Sequence, residues 1–301
     1  MTQHLFGGVN VAVLTPVHAD LSLDLDRMAA HCRWLLAQGA NGLGVLGTTG
    51  EANSFGLQER LALMEGLAER GIDPATMLPG IGVPALTDTV LMAKRAAALG
   101  IRGGLVLPPF FYKNPNEDGL FAYYSEIIQR IGGELALYFY HFPAQSAVPI
   151  TLSLIERILK AHPGAMRGLK DSTGDWTQTK AYVDAFAKDG FEVYCGDDSH
   201  LLRNLEAGGA GSISACSNVS AAVNAEVFRT RSPDAQTRLS AMRAAVQSQP
   251  LIPGLKALLA RHLDDPAWET LRPPHTVLTA DQKSRLFATF DAVGAPLQLA
   301  S

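Results

Sequence analysis

Short apolar runs alternate with stretches of helical spacing along most of the chain, and this alternation restricts the fold more than any other feature. The runs are Val9–Leu14, Gly42–Gly47, Met77–Gly82, Gly103–Leu107, Leu135–Tyr140, Met166–Lys170, Glu192–Cys195 and Gly211–Ala215. They make about eight strand candidates. Near-continuous apolar strands separated by amphipathic helices indicate a parallel sheet covered by helices. About eight such units, at intervals of roughly 20–35 residues, fit an α/β fold closed as a (β/α)8 TIM barrel; a doubly wound open sheet is the alternative.

The helical stretches carry their own signals. Leu154, Ile155, Ile158 and Leu159 share one face, and the pattern Ser153-x-x-Glu156 reads as the capping box that opens that helix. After the last strand candidate only helices follow, roughly Pro233–Ser248, Leu251–Leu263 and Thr279–Val293. Ser232 is placed as an N-cap before Pro233, and Thr279-x-x-Gln282 as a second capping box. The expected division is a barrel over residues 1–224 and a small helical C-terminal extension over 225–301.

Composition excludes several classes of function. The 301 residues are 47% apolar, enough for one large core, and the net charge of −4 comes from interspersed acids and bases. No basic stripe is available for a phosphate backbone, so nucleic acid is not expected as a partner. The opening residues lack a charged n-region with a long apolar stretch, and no window reaches bilayer length. Cys32, Cys195 and Cys216 are odd in number and widely spaced, as befits reduced thiols. The expectation is a soluble, cytoplasmic protein that does not engage membranes.

Nearly every strand candidate runs into a short loop of Gly, Pro and small polar residues: TP, GTTGE, GVP, PPFF, HFPA, DSTGD, GDDSH and CSN. In a barrel these loops gather at the C-terminal face, where such folds place their chemistry. One strand ends in a lysine, Lys170. Withdrawal from water disfavours an ammonium ion, and a neutral amine is the form that attacks a ketone to give an imine. The plainer reading pairs Lys170 with Asp171 on the rim. On the preceding strand Tyr140 stands beside the loop, within reach of Lys170 because neighbouring strands are about 5 Å apart, and a phenol there can move a proton. Tyr138 shares its face and reads as packing. In Gly47-Thr-Thr-Gly-Glu51 the hydroxyls of Thr48 and Thr49 and the exposed N–H groups from Gly47 onward suit a small carboxylate, with a simple turn as the alternative.

Other motifs are weaker. Gly42-x-Gly44-x-x-Gly47 matches a dinucleotide fingerprint in form, but its glycines lie within the strand candidate rather than after it. Walker A, HExxH and GxSxG patterns are missing, and the histidines lack metal-ligand spacing, so neither a metal nor another cofactor is expected.

Taken in order, GTTGE, YHFPA, GLKDSTGD, CGDD and GGAGSISACSN resemble the family of dihydrodipicolinate synthase, N-acetylneuraminate lyase and the 2-keto-3-deoxy sugar acid aldolases, over about Gly7 to Val219. The resemblance implies a (β/α)8 barrel, usually a homotetramer, and a covalent imine between pyruvate and a lysine. Lys170 matches the Schiff-base lysine, Tyr140 the proton-relaying tyrosine, and Thr48 and Thr49 the pair that binds the keto-acid carboxylate. Ile213 matches a position whose backbone lines the pyruvate pocket. Ser172, Gly196, Asp198 and Ser214 match positions that meet the hydroxylated tail of a sugar acid in the lyase branch.

Two departures separate the chain from the lysine-pathway synthases it resembles. Gln145 follows YHFPA where those synthases carry an arginine, and Gln145 cannot supply a charged bidentate donor. Phe111 replaces a relay tyrosine, which Tyr112 could replace only through a one-residue shift of its loop. The expected function is therefore reversible class I aldol cleavage of a 2-keto-3-deoxy sugar acid to pyruvate and an aldehyde. The alternatives are dihydrodipicolinate synthesis from pyruvate and aspartate semialdehyde, a keto-acid dehydratase, a non-catalytic keto-acid-binding protein, and a nicotinamide-dependent oxidoreductase.

Overall fold

The computed structural model describes residues 4–294. Seven parallel strands form one curled sheet: β1 Gly8–Ala12, β2 Gly42–Gly44, β3 Gly103–Val106, β4 Ala136–His141, β5 Met166–Asp171, β6 Glu192–Cys195 and β7 Gly211–Ser214. Their order is β2-β1-β7-β6-β5-β4-β3, and helices follow the strands on the outside. Alternation sends side chains to two separate cores. Leu105, Tyr138, Tyr140, Tyr194 and Ile213 pack inside the curl, while Val106, Phe139, Leu169 and Val193 pack outward against the helices.

The expected strand at Met77–Gly82 does not form as a strand. The segment makes one bridge to β2, Leu43 with Met77, and one to β3, Gly80 with Leu105. Pro79 lacks an N–H and cannot extend the ladder. The segment nevertheless bonds both edge strands: Leu78 N–H donates to Leu43 O at 2.9 Å, and Leu105 N–H donates to Pro79 O at 2.8 Å. The run expected over Gly42–Gly47 is likewise cut at Gly44, because Leu46 takes a left-handed turn at φ 56°. Gly42 and Gly44 belong to this strand rather than to a phosphate loop. A Cβ on Gly42 would fall 2.1 Å from Asn10 Oδ1.

One helix begins earlier than the sequence pattern suggests. The N-cap is Thr151, whose hydroxyl accepts from Leu154 N–H, so the helix runs Leu152–Ala161 and Ser153 lies inside it. Ser153 Oγ instead donates to Glu117. Ser232 caps the helix Pro233–Gln247, and Thr279 with Gln282 forms the capping box of the helix Ala280–Ala292.

The C-terminal helices pack against the ends of the strands. Leu14 and Cys216 from the strand ends and Val219 from the helix Ser217–Thr230 share one core with Met242, Leu255, Leu259 and Leu286. The expected boundary after residue 224 falls inside the helix Ser217–Thr230. Asn218 of that helix ties it to the sheet, its Nδ2 donating to Ala12 O at 2.7 Å and its Oδ1 accepting from Leu14 N–H at 3.1 Å. The helices are thereby held across the C-terminal ends of the strands. Residues 295–301 of the expected extension lie outside the described residues.

Candidate active site

Parallel register sets Tyr140 directly beside Lys170, and Lys170 beside Tyr194, so the three occupy one row inside the curl. Lys170 Nζ lies 4.3 Å from the centroid of the Tyr140 ring, and both residues are buried. Asp171, the next residue, points the opposite way. Its carboxylate accepts from Thr173 Oγ1 at 2.9 Å and Thr179 Oγ1 at 2.6 Å, so it anchors the following helix. No ion pair holds Lys170 among the described residues. The rim pairing of Lys170 with Asp171 is therefore absent, because alternation separates them by the thickness of the sheet.

Tyr140 and Tyr138 share a face but not a task. Tyr138 OH donates to Glu192 Oε2 at 3.0 Å and Tyr194 OH to the same oxygen at 2.6 Å, in a buried knot near the start of β6. The Glu192 carboxylate pushes the Tyr138 phenol far above its ordinary range, after burial as the larger cause. Tyr140 OH instead sits 3.1 Å from Thr48 Oγ1. Its neighbour His141 faces outward, where Nδ1 accepts from Ile150 N–H at 3.0 Å.

The Thr48–Thr49 loop is shaped by left-handed Leu46 and Glu51, at φ 56° and 55°. Thr15 Oγ1 donates to Gly50 O at 2.8 Å and fixes the turn. The N–H groups of Thr48 and Thr49 have no partner among the described residues. Adjacent unpaired N–H groups beside two hydroxyls form a concave donor set of the kind that holds a carboxylate.

These groups open on a cavity of about 660 Å3, within the range of small-ligand sites. Thr48, Thr49, Tyr140, Lys170, Ser172, Gly196 and Ile213 all line it. Gly196 is needed for the close approach of two loops: a Cβ there would fall 2.4 Å from Ser172 Oγ and 2.9 Å from Asp171 O. Gly47, Asp198 and Ser214 do not line the cavity. Asp198 is fully buried beneath the wall, taking Ser214 Oγ at 2.8 Å and Arg243 Nη1 at 2.9 Å.

The far wall and roof come from Gln145, which the sequence marked only as a departure from the synthases, and from residues to which sequence reading assigned no role. Gln145 and Asp197 stand on strand-end loops, while Arg243, Gln247 and Ile252 come from the C-terminal helices. Burial pulls the Arg243 pKa down, but the charge of Asp198 more than offsets it and holds the guanidinium ionised. Nothing local in the sequence marks Arg243. Only its position opposite the Gly196–Asp198 loop gives it a place in the site. Phe111 and Tyr112 lie outside the cavity, 73% and 62% exposed.

Among the described residues no group of three or more His, Cys, Asp or Glu side chains is placed to hold a metal, and no helix is long and apolar enough to cross a membrane. Cys32, Cys195 and Cys216 are free and buried.

Comparison with known proteins agrees with this geometry. The family model described as the dihydrodipicolinate synthetase family matches residues 5–293. An uncharacterized DapA-like lyase of Chloroflexus aurantiacus is 34% identical over 295 residues, 96% of this chain and 97% of the relative. The crystal structure of dihydrodipicolinate synthase from Agrobacterium tumefaciens superimposes with a TM-score of 0.86 at 28% identity, covering 95% of this chain and 99% of that one. YagE from E. coli K12, solved in complex with pyruvate, gives 0.87 at 25% identity over 96% and 99% of the two chains. Members of this family are pyruvate-dependent lyases that form a Schiff base with a lysine. The chain therefore belongs to the dihydrodipicolinate synthetase family and is a class I aldolase or lyase of that kind.

Proposed function

We propose that this enzyme reversibly cleaves a 2-keto-3-deoxy sugar acid to pyruvate and an aldehyde, with Lys170 as the Schiff-base nucleophile. The observation that carries the reading is the continuous arrangement of Lys170 Nζ over the Tyr140 ring and Tyr140 OH beside Thr48 Oγ1, all on one cavity.

In this mechanism the N–H groups and hydroxyls of Thr48 and Thr49 hold the keto-acid carboxylate, which presents the C2 carbonyl to Lys170. Attack by Nζ and loss of water give an iminium at C2. That iminium draws the electron pair of the C3–C4 bond as it breaks, leaving an enamine. Tyr140 takes the proton from the C4 hydroxyl and exchanges it through Thr48, so the aldehyde leaves without a charged alkoxide. Protonation at C3 and hydrolysis of the imine release pyruvate and restore the lysine.

The same reading extends to the fold and assembly. With the segment 77–82 as an eighth staved position, hydrogen-bonded to both edge strands, the sheet closes as a (β/α)8 barrel. The enzyme works in the cytoplasm as a homotetramer, whose interfaces would cover the exposed Phe111 and Tyr112. Light scattering behind size exclusion tests the assembly.

Gln145 supports a sugar acid over aspartate semialdehyde, because the cavity wall carries an amide where a synthase of the resembled type carries a guanidinium. The second reading, dihydrodipicolinate synthesis, is favoured by the likeness to the Agrobacterium tumefaciens synthase across 99% of its length. The test is borohydride trapping with pyruvate, followed by peptide mass spectrometry and assays with 2-keto-3-deoxygluconate and with aspartate semialdehyde. An adduct on Lys170 with sugar-acid cleavage supports the first reading; condensation with aspartate semialdehyde alone replaces it with the second. Binding of pyruvate without any product would identify a non-catalytic keto-acid-binding protein.

A further inference from the structure

We propose that Glu192 is a positioning residue for Lys170, acting from inside the curled sheet, below the cavity, through the hydroxyl of Tyr194. The inference rests on the reading of Lys170 as the Schiff-base nucleophile.

Register places Lys170 between Tyr140 and Tyr194, its partners on β4 and β6. Paired positions on neighbouring parallel strands are about 5 Å apart, so an aromatic residue flanks the lysine on each side. Tyr140 lines the cavity and Tyr194 does not. Tyr194 therefore meets no substrate, and its influence on the reaction passes through its neighbour Lys170.

Glu192 lies two residues before Tyr194 on β6 and faces the same interior. It is fully buried and accepts from three donors. Tyr194 OH donates to Oε2 at 2.6 Å, Tyr138 OH to the same oxygen at 3.0 Å, and Leu5 N–H to Oε1 at 2.8 Å. Arg167 stands 3.9 Å from Oε1, with its side chain 44% exposed. The carboxylate thus ties down the far end of two phenols, whose rings meet edge to face with centroids 6.1 Å apart. Phe6 packs edge-on against Tyr138 at 5.9 Å and joins the group to the N-terminal segment.

A carboxylate is a costly side chain for this position. An apolar residue of similar size would avoid the desolvation that a half-exposed arginine at 3.9 Å offsets only in part. What the carboxylate supplies is direction: it sets both phenols, and with them both rings, in one orientation beneath the row that carries Lys170 and Tyr140. In the mechanism above, Thr48 and Thr49 hold the keto acid from the β2 loop, so the approach of Nζ to C2 depends on how the lysine is aimed. A misplacement of about 1 Å in such a pair costs up to about 10²-fold in rate. Glu192 therefore governs the attack and leaves the affinity for the keto acid alone.

The test compares the whole chain as wild type, Glu192→Gln, Tyr194→Phe and the double variant. Rapid borohydride quenching at graded pyruvate, read by intact mass, gives the rate of imine formation at saturation and the pyruvate concentration at half-saturation. Thermal melts report the fold. Tyr194→Phe removes a single oxygen and keeps the charge of Glu192, so it reports even if Glu192→Gln fails to fold. The saturating rate is expected to fall about tenfold or more in each single variant, with half-saturation within about twofold of the wild type. The double variant should be no slower than the slower single variant, because both changes break one hydrogen bond. An unchanged rate in folded Tyr194→Phe, a shift confined to half-saturation, or losses that multiply in the double variant would each overturn the proposal and leave the Schiff-base reading standing. Absence of a pyruvate adduct in the wild type would remove that reading and the proposal with it.

Discussion

Lys256 Nζ lies 2.6 Å from Glu51 Oε1, with each side chain only 1% exposed. Lys256 sits on the C-terminal helix Leu251–His262, and Glu51 closes the loop that carries Thr48 and Thr49. Lys256 also donates to Thr270 O at 3.0 Å. Burial draws the Lys256 pKa down against the pull of Glu51. The C-terminal region therefore grips the site twice: through Lys256 on the β2 loop and through Arg243 on the β6 loop.

Breaking a buried pair from one side costs more than removing both charges, because the survivor is left desolvated. Lys256→Met is expected to destabilise the protein by about 3–5 kcal/mol, and Lys256→Met combined with Glu51→Gln by clearly less. Urea titrations of the two proteins check this. Equal losses in single and double variants would show that the pair does not act as a unit.

Lys170→Ala is expected to abolish both turnover and the borohydride adduct while the fold persists, since no ion pair or described hydrogen bond depends on Lys170. Circular dichroism and trapping on the same sample separate the two effects. Turnover near the normal rate would end the Schiff-base assignment.

Tyr140→Phe keeps the ring above Lys170 and deletes the hydroxyl next to Thr48. The cleavage kcat should fall by about 10²–10⁴, the usual scale for a positioned acid–base group, with imine formation partly retained. Single-turnover kinetics resolve the steps. Equal losses in imine formation and cleavage would assign Tyr140 to binding instead.

Gly196→Ala places a methyl 2.4 Å from Ser172 Oγ and 2.9 Å from the Asp171 carbonyl oxygen. Because backbone must shift, a loss of about 1–3 kcal/mol is expected, with a raised KM for the aldehyde. Thermal melts and initial rates measure both. A wild-type melting temperature would mean that the two loops are free to part.

His31 supplies a pH dependence remote from the active site. Burial against Trp34 and Trp268 takes its pKa from 6.5 down to about 4, opposed by the contact of Nε2 with Asn218 Oδ1 at 2.9 Å. The unfolded state then binds the proton more readily than the native state. The stability that His31 contributes is complete above pH about 6.5 and is lost as pH falls toward about 4, by about 3 kcal/mol in all. His31→Gln should flatten the slope of unfolding free energy across that window. An unchanged slope would trace it to other groups.

Alternating apolar runs with loops of GTTGE and GLKDSTGD type made the parallel sheet and the Lys170–Tyr140–Thr48 constellation legible from sequence. Strand periodicity, cap preference and a lysine at a strand end are local properties, readable within a few residues. Even so, periodicity could not separate Tyr138 from Tyr140. The knot with Glu192 resolves that choice by occupying one phenol and leaving the other beside Thr48.

What only the tertiary structure decided lies at long range. The sequence by itself determined the layered α/β class and marked Lys170, Tyr140 and Thr48 as residues suited to the proposed chemistry. It did not determine that Met77–Gly82 joins two edges without forming a strand, that Asp198 turns inward while Asp197 faces the cavity, or that Arg243 and Lys256 reach back to loops near 197 and 51. Those outcomes depend on how helices from the C-terminal region settle over the strand ends. That docking is set by one shared apolar core and by charge pairs between distant residues, Arg243 with Asp198 and Lys256 with Glu51 among them, none of which leaves a periodic signal in the chain.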